Sequence, residues 1–299
     1  MELQDNQNQN QNQEYNYDKI VEQINSGQIK DIIEFEKLPE DITISTMTIT
    51  CKIDTIFNVV NMAKYLDLTP EDIICIKHGN IEDLTVNRCI DKKKLLLKNK
   101  KKKKGFYNQV TVIVRISQDK NINLKFFTNG SMQITGCKNM QSVTIALLKV
   151  FNCLRVNKQI YNEELKNLED RPFVSNPDIL HIKNLYNIKI CMINSNFNIG
   201  FHIDRDKLYE ILLHRDNIEC SYDQLIHACV NIKYSHPDKI ISIFVFESGA
   251  IIITGARNCK QIIDAYEFIN KYILSNYYYI IKNSNLMNDK VLEFINGLE

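Results

Sequence analysis

The chain has 299 residues, 44% of them hydrophobic and 24% charged, an ordinary balance for a soluble globular protein and enough for one large or two smaller domains. Its 37 Lys and Arg nearly cancel 36 Asp and Glu, so a net charge of +1 gives no overall basic field, and any positive surface must come from uneven distribution. No apolar run approaches the ~20 residues of a membrane helix, the polar N-terminus is not a signal peptide, and nine scattered cysteines without a Cys-x-x-Cys pair read as isolated buried thiols in cytosol or nucleus.

In chain order, residues 1–17 form a Gln/Asn-rich tail expected to be disordered. Residues 18–38 suggest short helices through Ile20, Val21, Ile24, Ile29, Ile32 and Ile33, interrupted at Gly27. Alternation predicts a strand from Ile42 to Ile53, followed by a helix from Asp54 to Leu66 with Ile56, Val59, Val60 and Ala63 on one face. A lysine-rich insertion at 91–105 contains Lys100 to Lys104, and reads either as a solvated hairpin loop or as a basic finger for phosphate contact or nuclear import. Val110, Val112, Val114 and Ile116 alternate as a strand, Leu124 to Phe127 pairs back, and Gly130 turns the chain into Met132 to Thr135. Met140, Val143, Leu147, Val150 and Leu154 then mark one stripe of an amphipathic helix.

The second half repeats this order: a strand at Ile188–Ile193, a helix at Asp206–Leu213, a strand at Leu225–Ile232, and a hairpin of Ile240–Phe246 with Ile251–Thr254. Residues 127–139 match 246–258 without a gap, at a constant offset of 246 − 127 = 119. Phe, Gly, Ile, Thr, Gly and Asn are identical, and Lys138 corresponds to Arg257. The same offset places Cys259, Ile262, Tyr266, Ile269 and Ile273 under the first helix stripe. Turn and helix face together indicate a duplication. The expected fold is α+β: two pseudo-symmetric repeats, at 39–160 and 161–285, sharing one curved antiparallel sheet with helices on one face, then a helical tail at 286–299.

These segments resemble the TATA-binding protein family, whose repeats carry a Phe, a Gly soon after it, then Thr-Gly and a basic residue before a long helix. Ser45-Thr46 and Cys51-Lys52-Ile53-Asp54 also resemble the family's first strand. The resemblance implies a saddle whose free face binds the DNA minor groove, with phenylalanines wedged between base steps. By position it assigns the wedges to Phe127 and Phe246, base-facing threonines to Thr135 and Thr254, and apolar contacts to Gln133, Ile252 and Ile44. Lys138 and Arg257, cations at helix starts where they oppose the helix dipole, read either as phosphate contacts or as solvated surface charges.

The chain also departs from the family. The central asparagines correspond to Ile42 and Met192, and the partner wedge positions fall near Gln109 and His227. Phe106 or Tyr107 could replace the first wedge and Ile226 the second, while the lysine after the turn glycine is Ser131 or Ala250.

No catalytic or metal-binding constellation stands out. The six histidines lack ligand spacing, and Asp204 with Asp206 reads as a helix cap. The expectation is a non-enzymatic, cofactor-free, monomeric transcription initiation factor. It would bind A·T-rich promoter DNA and recruit a transcription factor IIB-like protein or RNA polymerase, with no membrane partner. The expected location is the nucleus, or a cytoplasmic replication site or virion if a large DNA virus encodes it. The alternatives are a protein-interaction scaffold that has lost DNA binding, and a nucleic-acid enzyme using the fold as a substrate-binding module.

Overall fold

The computed structural model describes residues 38–81, 84–90, 106–215 and 218–282. The expected tails at 1–17 and 286–299, the extension up to residue 37 and the lysine-rich insertion at 91–105 lie outside the described residues.

The first repeat runs β1 (Thr43–Lys52), α1 (Val59–Tyr65), β2 (Ile73–Ile81), β3 (Leu84–Cys89), β4 (Gln109–Ser117), β5 (Lys120–Phe127), β6 (Ser131–Cys137) and α2 (Met140–Arg155). A two-stranded hairpin follows, β7 (Lys158–Asn162) and β8 (Asn167–Arg171). The second repeat runs β9 (Tyr186–Asn198), α3 (Arg205–Leu213), β10 (Glu219–Ser221), β11 (Cys229–His236), β12 (Lys239–Phe246), β13 (Ala250–Ala256), α4 (Cys259–Ser275) and α5 (Tyr277–Ile280).

Eleven strands form one sheet, in the order β10-β11-β12-β13-β9-β1-β6-β5-β4-β2-β3, with antiparallel pairing throughout. The two copies meet at β1 and β9. There Thr48 faces Met192 and Thr46 faces Asn194. Because 194 − 48 and 192 − 46 both equal 146, a two-fold axis through this pair exchanges the strands. The turn and long helix repeat at 119, so the first copy is longer by 146 − 119 = 27 residues between its first strand and its turn.

Strand alternation builds the core. Val110, Val112 and Val114 of β4, Ile122, Leu124 and Phe126 of β5, and Ile241, Ile243 and Val245 of β12 are fully buried on one side. Above them α2 crosses β4 and β6, and α4 crosses β11 to β13. Their buried stripes include Val143, Leu147, Val150 and Leu154, and Ile262, Ile269 and Ile273. The two helices start alike: Asn139 accepts from the Ser142 N–H at 3.0 Å and Asn258 from the Gln261 N–H at 2.9 Å. Each cap contributes about 1 kcal/mol.

Several elements differ from expectation. The helix expected from Asp54 begins only at Val59, because Phe57 is buried in a bridge to Val174 and the Asn58 side chain caps the helix. The strand expected from Leu225 begins at Cys229. Asp223 makes a turn instead, accepting the Leu225 N–H on its side chain and the Ile226 and His227 N–H groups on its carbonyl. Strands β2 and β3 add to the first repeat, and a repeat boundary between residues 160 and 161 would fall inside β7. Two cysteines are not isolated thiols: the antiparallel register sets Cys75 opposite Cys89, and they are disulfide-bonded. A separation of 14 residues gave no motif by which to foresee that pair.

Candidate nucleic-acid interface

The face of the sheet away from the core is covered by no helix among the described residues. Its central strands present Asn123, Lys125 and Phe127 (β5), Gln133 and Thr135 (β6), Thr46, Thr48, Thr50 and Lys52 (β1), Lys189, Met192, Asn194 and Asn196 (β9), Ile252 and Thr254 (β13), and Ser242, Phe244 and Phe246 (β12). Two rows cross the dyad, Asn123-Thr135-Thr48-Met192 and Ser242-Thr254-Asn194-Thr46. Thr254 donates its hydroxyl hydrogen bond to the Asn194 side chain.

Charge is unevenly shared. Ten of the eleven strands contain no Asp or Glu, and only β10 has one, Glu219. The same eleven strands carry nine cations, among them Lys52, Arg115, Lys125, Lys189 and Lys233 on the open side. The near-zero total therefore conceals a sheet in which cations far outnumber acids.

Phe127 and Phe246 are half-buried on the open face, each one residue past a core side chain (Phe126, Val245). A glycine turn holds each in place. Gly130 donates to the Phe127 carbonyl at 3.1 Å and accepts from Ile53; Gly249 donates to the Phe246 carbonyl at 3.1 Å and accepts from Ile199. Both glycines have positive φ, 79° and 78°, and a Cβ there would lie 2.2 Å from the Ile53 carbonyl oxygen or 2.3 Å from that of Phe201.

Thr135, Thr254, Gln133 and Ile252 lie on this same face, half-exposed. Lys138 and Arg257 are exposed just before α2 and α4. Ile44 is a correction. A bulge at Ser45 reverses the alternation, so Ile44 pairs with the fully buried Ser195 and packs against the core. Thr43 and Ser45 take the open side instead, both donating to Asn196 Oδ1 at 2.8 Å. Ile42 is likewise buried, and the dyad register relates it to Ile188, while Met192 corresponds to Thr46.

The partner wedge positions are also resolved. Gln109 faces Phe127, and Cys229, rather than His227, faces Phe246. Just before Gln109 in the chain come Phe106, 68% exposed, and Tyr107, 79% exposed; in the second repeat the turn presents Leu225, 96% exposed, and Ile226, 75% exposed. An open cleft of about 550 Å³ separates that turn from Phe246. Arg205 fixes it, donating to the His227 and Ala228 carbonyls at 3.2 and 2.7 Å and to Glu247 at 3.2 Å. Lys282, at 2.7 Å, and then Arg205 hold the Glu247 carboxyl below its ordinary pKa.

Lys125, Phe244, Asn194 and Asn196 escaped the sequence reading of this face. Counting back two residues from Phe127 and Phe246 would have found the first two.

Comparison with known proteins accords with this geometry. The family model described as transcription factor TFIID, or TATA-binding protein (TBP), matches residues 187–276. A TATA-box-binding protein-like protein of Acanthamoeba polyphaga mimivirus is 40% identical over 272 residues, 85% of this chain and 71% of that protein. The chain belongs to the TATA-binding protein family. It is a divergent TBP-like protein, and its two-repeat α+β sheet is the family's saddle. Among solved structures, Methanococcus jannaschii TBP matches over 78% of this chain and 98% of its own, at 17% identity and a TM-score of 0.46.

Proposed function

We propose that this TBP-like protein binds A·T-rich promoter DNA in the minor groove with its open face, and nucleates a transcription complex with a transcription factor IIB-like protein or RNA polymerase. The observation that carries the reading is the sheet free of carboxylates on ten strands, with cations on the open side. Duplex phosphates favour such a face by releasing counterions, while carboxylates there would repel them. Between the cations lie threonine, asparagine and apolar side chains, suited to a groove with few distinguishing polar groups. Phe127 with Phe106 and Tyr107, and Phe246 with Leu225 and Ile226, supply apolar wedges at the two ends. Unstacking a base step costs about a few kcal/mol, which contact area must offset.

The protein acts as a monomer in this reading, because the dyad lies within one chain. It uses no cofactor and catalyses no reaction. Its mimivirus relative makes a viral replication site or virion, as well as a nucleus, a compartment to examine. A scaffold that has lost DNA binding is the competing reading, but an open face whose one strand carboxylate is Glu219, on the edge strand β10, together with exposed wedges favours DNA.

Fluorescence measurement of duplex bending across a salt series tests the proposal. The expected result is binding and bending of A·T-rich duplexes at low salt, both weakened in the Phe127→Ala, Phe246→Ala double variant. Absence of binding at low salt, or bending indifferent to both substitutions, overturns it.

A further inference from the structure

The dyad that relates the two halves of the open face does not preserve their chemistry. At the offset of 119, Lys125 corresponds to Phe244 and Gln133 to Ile252. Each pair is joined directly across the sheet, Lys125 to Gln133 between β5 and β6, and Phe244 to Ile252 between β12 and β13. Two rows along the same strands, past Asn123 and Ser242, Asn121 corresponds to the exposed Ile240. One half of the floor is thus a cation and an amide, and the other an aromatic and an aliphatic side chain. All four are half-exposed, and none is in the core.

In the minor groove an A·T pair shows only acceptors, adenine N3 and thymine O2, whereas a G·C pair adds the guanine N2 amino donor. Over an apolar floor that donor loses water and finds no acceptor, which weakens binding on the order of tenfold. Gln133 offers an amide oxygen to accept from the amino group, and its NH₂ and the Lys125 ammonium can donate to N3 or O2. We infer, building on the DNA-binding reading above, that the two halves read different base pairs. The Phe244–Ile252 half requires A·T, the Lys125–Gln133 half accepts G·C, and the difference seats the duplex in one direction. Lys125 and Gln133 are then specificity-determining residues.

The test is a G·C scan. The full chain is titrated with an A·T-only duplex carrying one G·C pair at each position in turn, with guanine on either strand. The expected pattern is a loss of about tenfold or more in one half of the site and less than about threefold in the other. In the Lys125→Leu, Gln133→Val variant the loss spreads to both halves. In the mirror variant, Phe244→Lys with Ile252→Gln, the tolerance spreads instead. Comparing variants on the same duplexes cancels the sequence-dependent stiffness of the DNA itself. Equal losses in both halves of the wild-type site, or scans unmoved by both variants, overturn the inference while leaving DNA binding standing. Failure of every duplex to bind removes the DNA-binding reading and this inference with it.

Discussion

Phe126 and Phe127 are adjacent in the chain and lie on opposite sides of the sheet. Phe126 is fully buried, its ring edge-on to Phe57 with centroids 5.0 Å apart, while Phe127 lies half-exposed at the end of the open face. Phe126→Ala should therefore cost about 3–5 kcal/mol of folding stability. Phe127→Ala should cost less than about 1 kcal/mol, within the range for surface positions, yet weaken DNA binding. Urea unfolding and duplex titration of the two variants separate these effects, and a Phe127→Ala that unfolds as readily as Phe126→Ala would return that ring to the core.

Gly130 and Gly249 should each resist substitution. A Cβ at either site meets a backbone carbonyl oxygen at 2.2 or 2.3 Å, and φ is positive at both. Alanine should destabilise by at least about 2 kcal/mol at each, from the left-handed backbone and from the displaced strand end. Comparable shifts in urea midpoint for the two variants are expected, and a neutral Gly249→Ala would contradict the shared turn geometry.

His78 should make stability depend on pH. It is 2% exposed in β2, facing Val110 and Val86, and the Gly79 backbone beside its ring only partly offsets the burial. Burial pushes its pKa below the ordinary 6.5. The unfolded chain therefore takes up a proton that the folded state resists, so stability is present above about pH 6.5 and lost as pH falls through the folded value. Against His78→Leu, the wild-type urea midpoint should fall more steeply between pH 7 and 5. Parallel curves would mean that the imidazole is solvated.

Salt should weaken DNA binding in proportion to the cations engaged. Each phosphate neutralised adds about 0.9 to the slope of log affinity against log salt. Lys52→Gln with Lys189→Gln, on neighbouring strands at one end of the central strand pair, should lower that slope by roughly 1.8 if both touch phosphate. An unchanged slope would place the duplex away from these strands.

The duplication, both terminal hairpins and the long helices were legible because their signals are local. A glycine that must turn and a stripe that must face the sheet recur in the chain at one offset, 119, and need no partner to be recognised. The open face was legible only where it stays within a strand's alternation, as at Phe127, Phe246, Thr135 and Thr254. Tertiary structure decided the rest. The Ser45 bulge turned Ile44 into the core, and β-register set Cys75 against Cys89. Assembly of both copies into one sheet gathered cations that the chain disperses among acids. Those outcomes depend on which strands pair and at what register, a choice made between residues more than 100 positions apart at the β1–β9 seam. A sequence by itself therefore determined the repeating unit, and the pairing of two units determined what its open face presents.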